Sequence, residues 1–255
     1  MSTENEIKIK KLLEHHVPNT VLLSSWLDAR GYSYDLQKRY KASGWLESIG
    51  TGAFKRPSEN VTWEGGLYAI QNQTELQVHV GGLTALSLHG VSHYIRTGKP
   101  TVYLYSPQGA KLPSWFNGYD WDVNVEHVRT ALLPHDAGLT KIDRANFSLV
   151  VSSVERAALE CLYHVPKNMD FMEAYQIVSG LINLRPRLVQ KLLEQCNSVK
   201  VKRLFFYMAD KANHSWFKHL DKSSIDCGSG VRTVIKNGVY DSVYQITVPK
   251  EISRL

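Results

Sequence analysis

The stretch from Asn19 to Pro57 constrains this chain more than any other, because it carries the rhythm of two short helices followed by a hairpin. Thr20 stands where a helix cap belongs, Leu22, Leu23, Trp26 and Leu27 recur at spacings of three and four, and Gly31 sits where such a helix stops. Ser33 then predicts the start of a second helix over 34–43, with Leu36 and Tyr40 one turn apart and facing inward. Its other side is polar and basic. Tyr34, Gln37, Lys38 and Lys41 fall outward, Arg39 lies at the margin, and Gly44 ends the run. Residues 45–49 alternate apolar and polar, Gly50-Thr51-Gly52 supplies a turn, and Ala53-Phe54-Lys55-Arg56 returns toward Pro57.

This order predicts a winged helix-turn-helix whose second helix suits a major groove. Gln37 is the expected base reader, with Lys38 and Lys41 beside it, Tyr34 and Arg39 in second rank, and Thr51, Lys55 and Arg56 clamping the phosphate backbone. Two amphipathic helices and a hairpin occur in many folds, so the pattern by itself leaves DNA binding and ordinary packing equally open.

Charge divides unevenly along the 255 residues, whose formal net charge is +6. Residues 1–57 hold nine Lys/Arg against six Asp/Glu, residues 58–184 hold eight against twelve, and residues 185–222 hold nine against three. Two basic regions therefore flank an acidic middle, the footprint of a polyanionic partner or of a solvated face. No run of about 20 apolar residues is present, and residues 1–6 lack the basic-then-apolar order of a secretion signal, so a cytoplasmic protein without membrane contact is expected. Cys161, Cys196 and Cys227 are widely spaced and include no Cys-x-x-Cys pair, which points to reduced core thiols rather than a disulfide framework or zinc site.

Other segments read as parts of a mixed second unit. Ile7, Ile9, Leu12 and Leu13 predict a helix before the anchor, and Trp63, Leu67 and Ile70 predict one after it, capped by Asn60 and interrupted early by Gly65-Gly66. Strands are expected over 76–80, 101–105, 121–127, 139–142 and 146–151, with a short helix over 83–89 behind Gly81-Gly82. From Ser152 the chain turns helical: Ser152 with Glu155 and Asp170 with Glu173 have capping-box spacing, Pro186 opens a helix to Gln195, and Ser198 caps another to Lys211. Asn237-Gly238 predicts a terminal hairpin between residues 231–235 and 239–248. The expected fold is α+β: a winged helix-turn-helix domain with its connecting helix over 1–92, then a mixed α/β domain over 93–255 with a helical bundle and terminal β-hairpin.

Chemistry-bearing motifs are weak. Gly81-Gly82 lacks a phosphate-loop signature, His89 and His93 are separated by Gly90 and lack the glutamate of a metalloprotease helix, and Asp120-Trp121-Asp122 lacks the Gly-Ser turn of a nucleotidyltransferase. Close packing, a histidine pair without metal and two solvated acids are the simpler readings. No metal, cofactor or catalytic residue is expected.

Segments 40–46, 50–54 and 63–71, then His79–Leu86 with His93-Tyr94, Glu155-Arg156-Ala157, Leu184-Arg185-Pro186 and Val199–Phe205, resemble in order the AbiEi family of type IV antitoxins. The resemblance runs from about Ile7 to Pro249, with Phe54 and Leu83 departing where a tyrosine and a polar or basic residue are usual. It implies an N-terminal winged helix that binds inverted repeats in double-stranded DNA at its own promoter and represses the operon. It also implies a C-terminal domain that counters a nucleotidyltransferase toxin in abortive infection without an assumed stable complex. The expected protein is a monomer in solution with several copies on the operator. Arg185, Lys200, Lys202 and Arg203 are the expected antitoxicity surface. Two other readings stand beside this one: a C-terminal domain that enzymatically modifies the toxin or a nucleic acid, and a plain ligand-responsive repressor.

Overall fold

In the computed structural model, which describes residues 3–91 and 98–253, three helices and a three-stranded sheet open the chain. Helices α1 (Thr3–His15), α2 (Ser24–Asp28) and α3 (Tyr34–Ala42) enclose a core of Ile9, Leu12, Leu22, Leu27, Leu36, Tyr40 and Leu46. The first helix of the pair is shorter than its spacing predicts. Leu22–Leu23 form strand β1, which pairs antiparallel with Phe54 and Ala53 of β3 (Ala53–Lys55), itself paired with β2 (Glu47–Gly50). Two consecutive apolar residues suit either a strand or a helical turn, and pairing with the wing settles the choice. Thr20 consequently caps no helix; its hydroxyl donates to the Val17 carbonyl at 2.7 Å.

Helix α4 (Trp63–Gln73) begins behind Thr62 rather than Asn60. Gly65 and Gly66 lie in its first turn and let it approach its neighbours: a Cβ on Gly65 would stand 2.0 Å from the Asn19 carbonyl oxygen, and one on Gly66 2.7 Å from the Trp121 ring. The helix then ties two sheets together. Gln73 accepts from Leu23 N and donates to Val21 O, both at 2.8 Å, while Gln71 donates to Val78 O at 2.9 Å and exchanges 3.0 Å bonds with the Val150 peptide. Peptide groups in β1 and β8 and just before β1 and β4 are satisfied by these two side chains.

The second sheet has the order β6-β5-β4-β8-β7, formed by β4 (His79–Val80), β5 (Thr101–Ser106), β6 (Asn124–Arg129), β7 (Leu139–Asp143) and β8 (Ser148–Ser152). β5 is parallel to β6 and β4 to β8; β4–β5 and β7–β8 are antiparallel. The central β4 comes from residues before position 92 and bonds strands from after it. Val80, Val102, Leu104, Leu149 and Val151 pack with α4 and with Trp115 and Phe116 of α6 (Ser114–Gly118). Trp121 is buried with them, but it precedes the strand expected to contain it.

A helical bundle follows. α5 (Gly82–Leu88) packs on α7 (Val154–Tyr163), and α8 (Phe171–Gly180), α9 (Pro186–Gln195) and α10 (Val199–Lys211) complete a core rich in Leu, Phe and Ala. Ser153 caps α7, one residue later than the spacing suggests, whereas Asp170, Pro186 and Ser198 take their expected positions. The tail departs from expectation. β9 (Val239–Asp241) pairs with β10 (Ile246–Val248), and residues 231–235 contribute a single bridge between Arg232 and Ile246 before α11 (Lys250–Ser253). Asn237 does turn the chain, at φ +60°, but Thr247 Oγ1 accepts from Val234 N and Ile235 N and so replaces a strand ladder there. Among the described residues, no helix is long and apolar enough to cross a membrane.

Candidate nucleic-acid interface

Helix α3 carries Asp35 in its first turn and Arg39 and Lys41 in its last, the charge order that complements a helix dipole. Leu36, Gln37 and Tyr40 are buried, and Tyr34, Lys38, Arg39 and Lys41 are exposed. Tyr34, Lys38 and Lys41 recur at i, i+4 and i+7 along the free face. Lys38 Nζ lies 3.6 Å from Asp35 Oδ1 with both side chains in water, a pair so weak that a phosphate can replace it.

Gln37 corrects the outward placement expected for a base reader. It is 2% exposed; its Nε2 donates to Ser24 O at 3.0 Å and Tyr32 O at 2.7 Å, and its Oε1 accepts from Ser24 Oγ at 2.5 Å. The start of α2 and the turn before α3 present the Ser24 and Tyr32 carbonyls to this side chain, and the amide bonds both. Helical spacing reads Gln37 as outward, and hydrogen-bond demand turns it inward.

On the wing, Thr51 and Gly52 are exposed at the tip. The cations behind them are engaged. Lys55 Nζ lies 3.5 Å from Glu47 Oε2 with its side chain 16% exposed, and Arg56 Nη1 lies 3.8 Å from Glu59 Oε1. Glu59 also meets His16 Nε2 at 2.8 Å and accepts from Asn19 N at 2.9 Å. One exposed cation was not singled out from sequence: Arg30, whose guanidinium stacks 3.8 Å from the Trp26 ring beside the helix turn. The Trp-to-Arg spacing of four was the available signal.

The four C-terminal cations do not form one surface. Lys202 and Arg203 are 6% and 2% exposed. Arg203 donates from Nε to Cys227 O at 2.8 Å, from Nη1 to Gly230 O at 2.6 Å and Gln245 O at 3.0 Å, and from Nη2 to Gly228 O at 2.9 Å; Lys202 donates to Asp226 O at 2.8 Å. These two pin the irregular tail onto α10, because residues 201–209 are buried on every side and leave their cations only backbone carbonyls to meet. Lys200 is half-buried, its ammonium on the carbonyls of Tyr163 and Val165, and burial pushes its pKa down. Arg185 is exposed yet chelates buried Glu155 through Nε and Nη2, both at 2.8 Å.

Two family models match the chain. Residues 5–97 match the N-terminal domain of the AbiEi antitoxin transcriptional regulators, and residues 99–249 match the transcriptional regulator, AbiEi antitoxin, of type IV toxin-antitoxin systems. The chain belongs to the AbiEi family. No curated protein matches it. Among solved structures, the RV2827C protein from Mycobacterium tuberculosis is similar at a TM-score of 0.56 and 13% identity, over 89% of this chain and 85% of that one, which shows a shared fold.

Two further motifs resolve within this AbiEi chain. His89 Nε2 donates to Ser152 O at 2.9 Å, and His93 lies outside the described residues. Asp120 is exposed and accepts from Lys99 Nζ at 2.7 Å and Asp122 N at 3.1 Å, contacts that lower its pKa, while Asp122 takes a left-handed turn at φ +55°. Both acids stand on the loop before β6 and not on a strand. Among the described residues, no three His, Cys, Asp or Glu side chains are grouped to hold a metal ion.

Proposed function

We propose that this AbiEi regulator binds inverted repeats in its own promoter through α3 and the wing and represses its operon. The observation that carries the reading is the free face of α3, where Tyr34, Lys38, Arg39 and Lys41 are exposed together on a helix whose inward side is locked by Leu36, Gln37 and Tyr40. A rigid helix with cations on one face meets a groove flanked by phosphates. Arg30 and Thr51 extend contact to the backbone on either side, and Lys55 and Arg56 join it by exchanging carboxylate partners for phosphates.

The second domain counters a nucleotidyltransferase toxin in the cytoplasm without a lasting complex and without catalysis of its own. Arg185 and Lys200 are the accessible members of the basic set, and Lys202 and Arg203 serve the fold. The protein is a monomer that loads several copies on its operator.

Fluorescence anisotropy against DNA from immediately upstream of the gene, with scrambled DNA of equal length beside it, tests the reading. A gap of roughly a thousandfold between the two, shrinking affinity with added salt, is the expected result. Equal and weak binding to both DNAs contradicts it.

A further inference from the structure

A cavity of about 250 Å³ opens at the ends of β5 and β6. Its floor is buried and polar, formed by His79, Tyr105, Ser106 and Arg156; its mouth is formed by Gln108, Ala131, Pro134, His135 and Asn197. Leu133 and Pro107 add apolar wall.

Arg156 is held from behind. Its Nε donates to Glu160 Oε1 at 2.8 Å, and its Nη1 donates to Pro134 O at 2.7 Å and Ala137 O at 2.5 Å. Glu160 is itself saturated, accepting from Gly82 N at 2.9 Å and Ser152 Oγ at 2.8 Å and facing His79 Nε2 at 3.0 Å. The paired glycines exist for this approach, since a Cβ on Gly81 would stand 2.3 Å from Glu160 Oε2 and 2.4 Å from the Tyr105 ring. Three hydrogen-bond partners thus fix the guanidinium of Arg156, a residue that is 96% buried, while its Nη2 has no hydrogen-bond partner among the described residues and the side chain lines the cavity. A donor held in a fixed position, open to the cavity and without a protein partner, is a recognition element for an acceptor from outside.

We propose that this cavity is a binding site for a small organic carboxylate, its oxygen on Arg156 Nη2 and its flat apolar body against Tyr105, Leu133 and Pro134. The volume lies just below the usual range of ligand pockets, which fits a small molecule rather than a nucleotide. Charge separates a carboxylate from a phosphate. Among the described residues Arg156 is the one Lys or Arg lining the cavity, and Glu160 balances it, so a monoanion with one strong donor is matched whereas a dianion demands several. Ser106, whose Oγ lies 2.7 Å from His127 Nε2, offers the second hydroxyl contact.

Saturation-transfer NMR titrations with benzoate, its neutral isostere benzamide and inorganic phosphate test this on the full chain. Benzoate is expected to bind, benzamide roughly tenfold more weakly, and phosphate not to displace benzoate. Arg156→Lys, which keeps the charge and loses Nη2, is expected to weaken benzoate by about tenfold. Because Arg156 also supports the fold, Ala131→Trp at the exposed mouth supplies a second arm: it is expected to abolish benzoate binding with the urea midpoint unchanged. Absent benzoate binding, equal binding of benzoate and benzamide, displacement by phosphate, or full binding to folded Ala131→Trp would each overturn the assignment.

Discussion

The basic residues of α3 and those of α10 look alike in sequence and are opposites in structure. On α3, Lys38, Arg39 and Lys41 project from a helix that buries only Leu36, Gln37 and Tyr40. On α10, Lys202 and Arg203 lie inside a helix buried from Val201 to Ala209 and spend their donors on the carbonyls of the tail. The difference lies in the residues around the charges. Where the apolar stripe is narrow, a cation has water to enter; where Leu204, Phe205, Phe206, Tyr207 and Met208 cover the helix, it must bring backbone oxygens in with it. A charge run therefore identifies a partner surface only after the apolar residues beside it are placed.

The sharpest way to break this comparison is Arg203→Ala. It removes four hydrogen bonds to tail carbonyls, of which Gln245 O keeps a second donor in Arg232 N, so a loss of about 3–5 kcal/mol in urea unfolding is expected. A loss below about 0.5 kcal/mol, the range of surface substitutions, would return Arg203 to the surface class. Gln37→Ala comes next, with about 2–3 kcal/mol expected from the orphaned Ser24 and Tyr32 carbonyls and the cavity left behind. If Gln37→Ala keeps full stability and changes only base preference, its inward role is wrong.

Acid tests the buried pairs of the second domain. Burial raises the pKa values of Glu155 and Glu160, but the hydrogen bonds of Arg185 to the first and of His79 and Arg156 to the second outweigh it and hold both at about 2. A folded value below the unfolded 4.5 stabilises the native state above pH 4.5. That contribution is lost as pH falls from 4.5 toward 2. Arg185→Ala is expected to raise the Glu155 pKa and move the onset of acid unfolding to higher pH, read by circular dichroism; an unmoved onset speaks against the pair. The smallest effect is on α3, where Lys41→Ala should change stability by less than about 0.5 kcal/mol.

How much of this was legible in the sequence depends on what fixed each element. Caps and first-turn residues are local, so Asp170, Pro186 and Ser198 were placed from spacing. The α3 cations followed from the pattern as well, because helical periodicity is set within one turn. β1 was misread as helix because its partner stands some 30 residues later on the wing, and the partner of β9 proved to be β10 rather than the segment before Asn237-Gly238. Gln37, Lys202 and Arg203 were misplaced for a related reason: carbonyls distant in the chain set the positions of the two cations, and the carbonyls of Ser24 in α2 and Tyr32 before α3 set that of Gln37. The cavity at Arg156 was invisible, since β4, β5, α7 and the loops after β5, β6 and α9 meet there.

The most direct test of the central claim is the salt dependence of upstream-DNA binding for Lys38→Ala/Lys41→Ala against the unaltered protein. Each lysine on a phosphate adds about one unit to the slope of log affinity against log salt, so the double variant is expected to lose about two units, on upstream and scrambled DNA alike, with its urea midpoint unchanged. An unchanged slope in the folded double variant would make the free face of α3 a solvated surface and contradict the account.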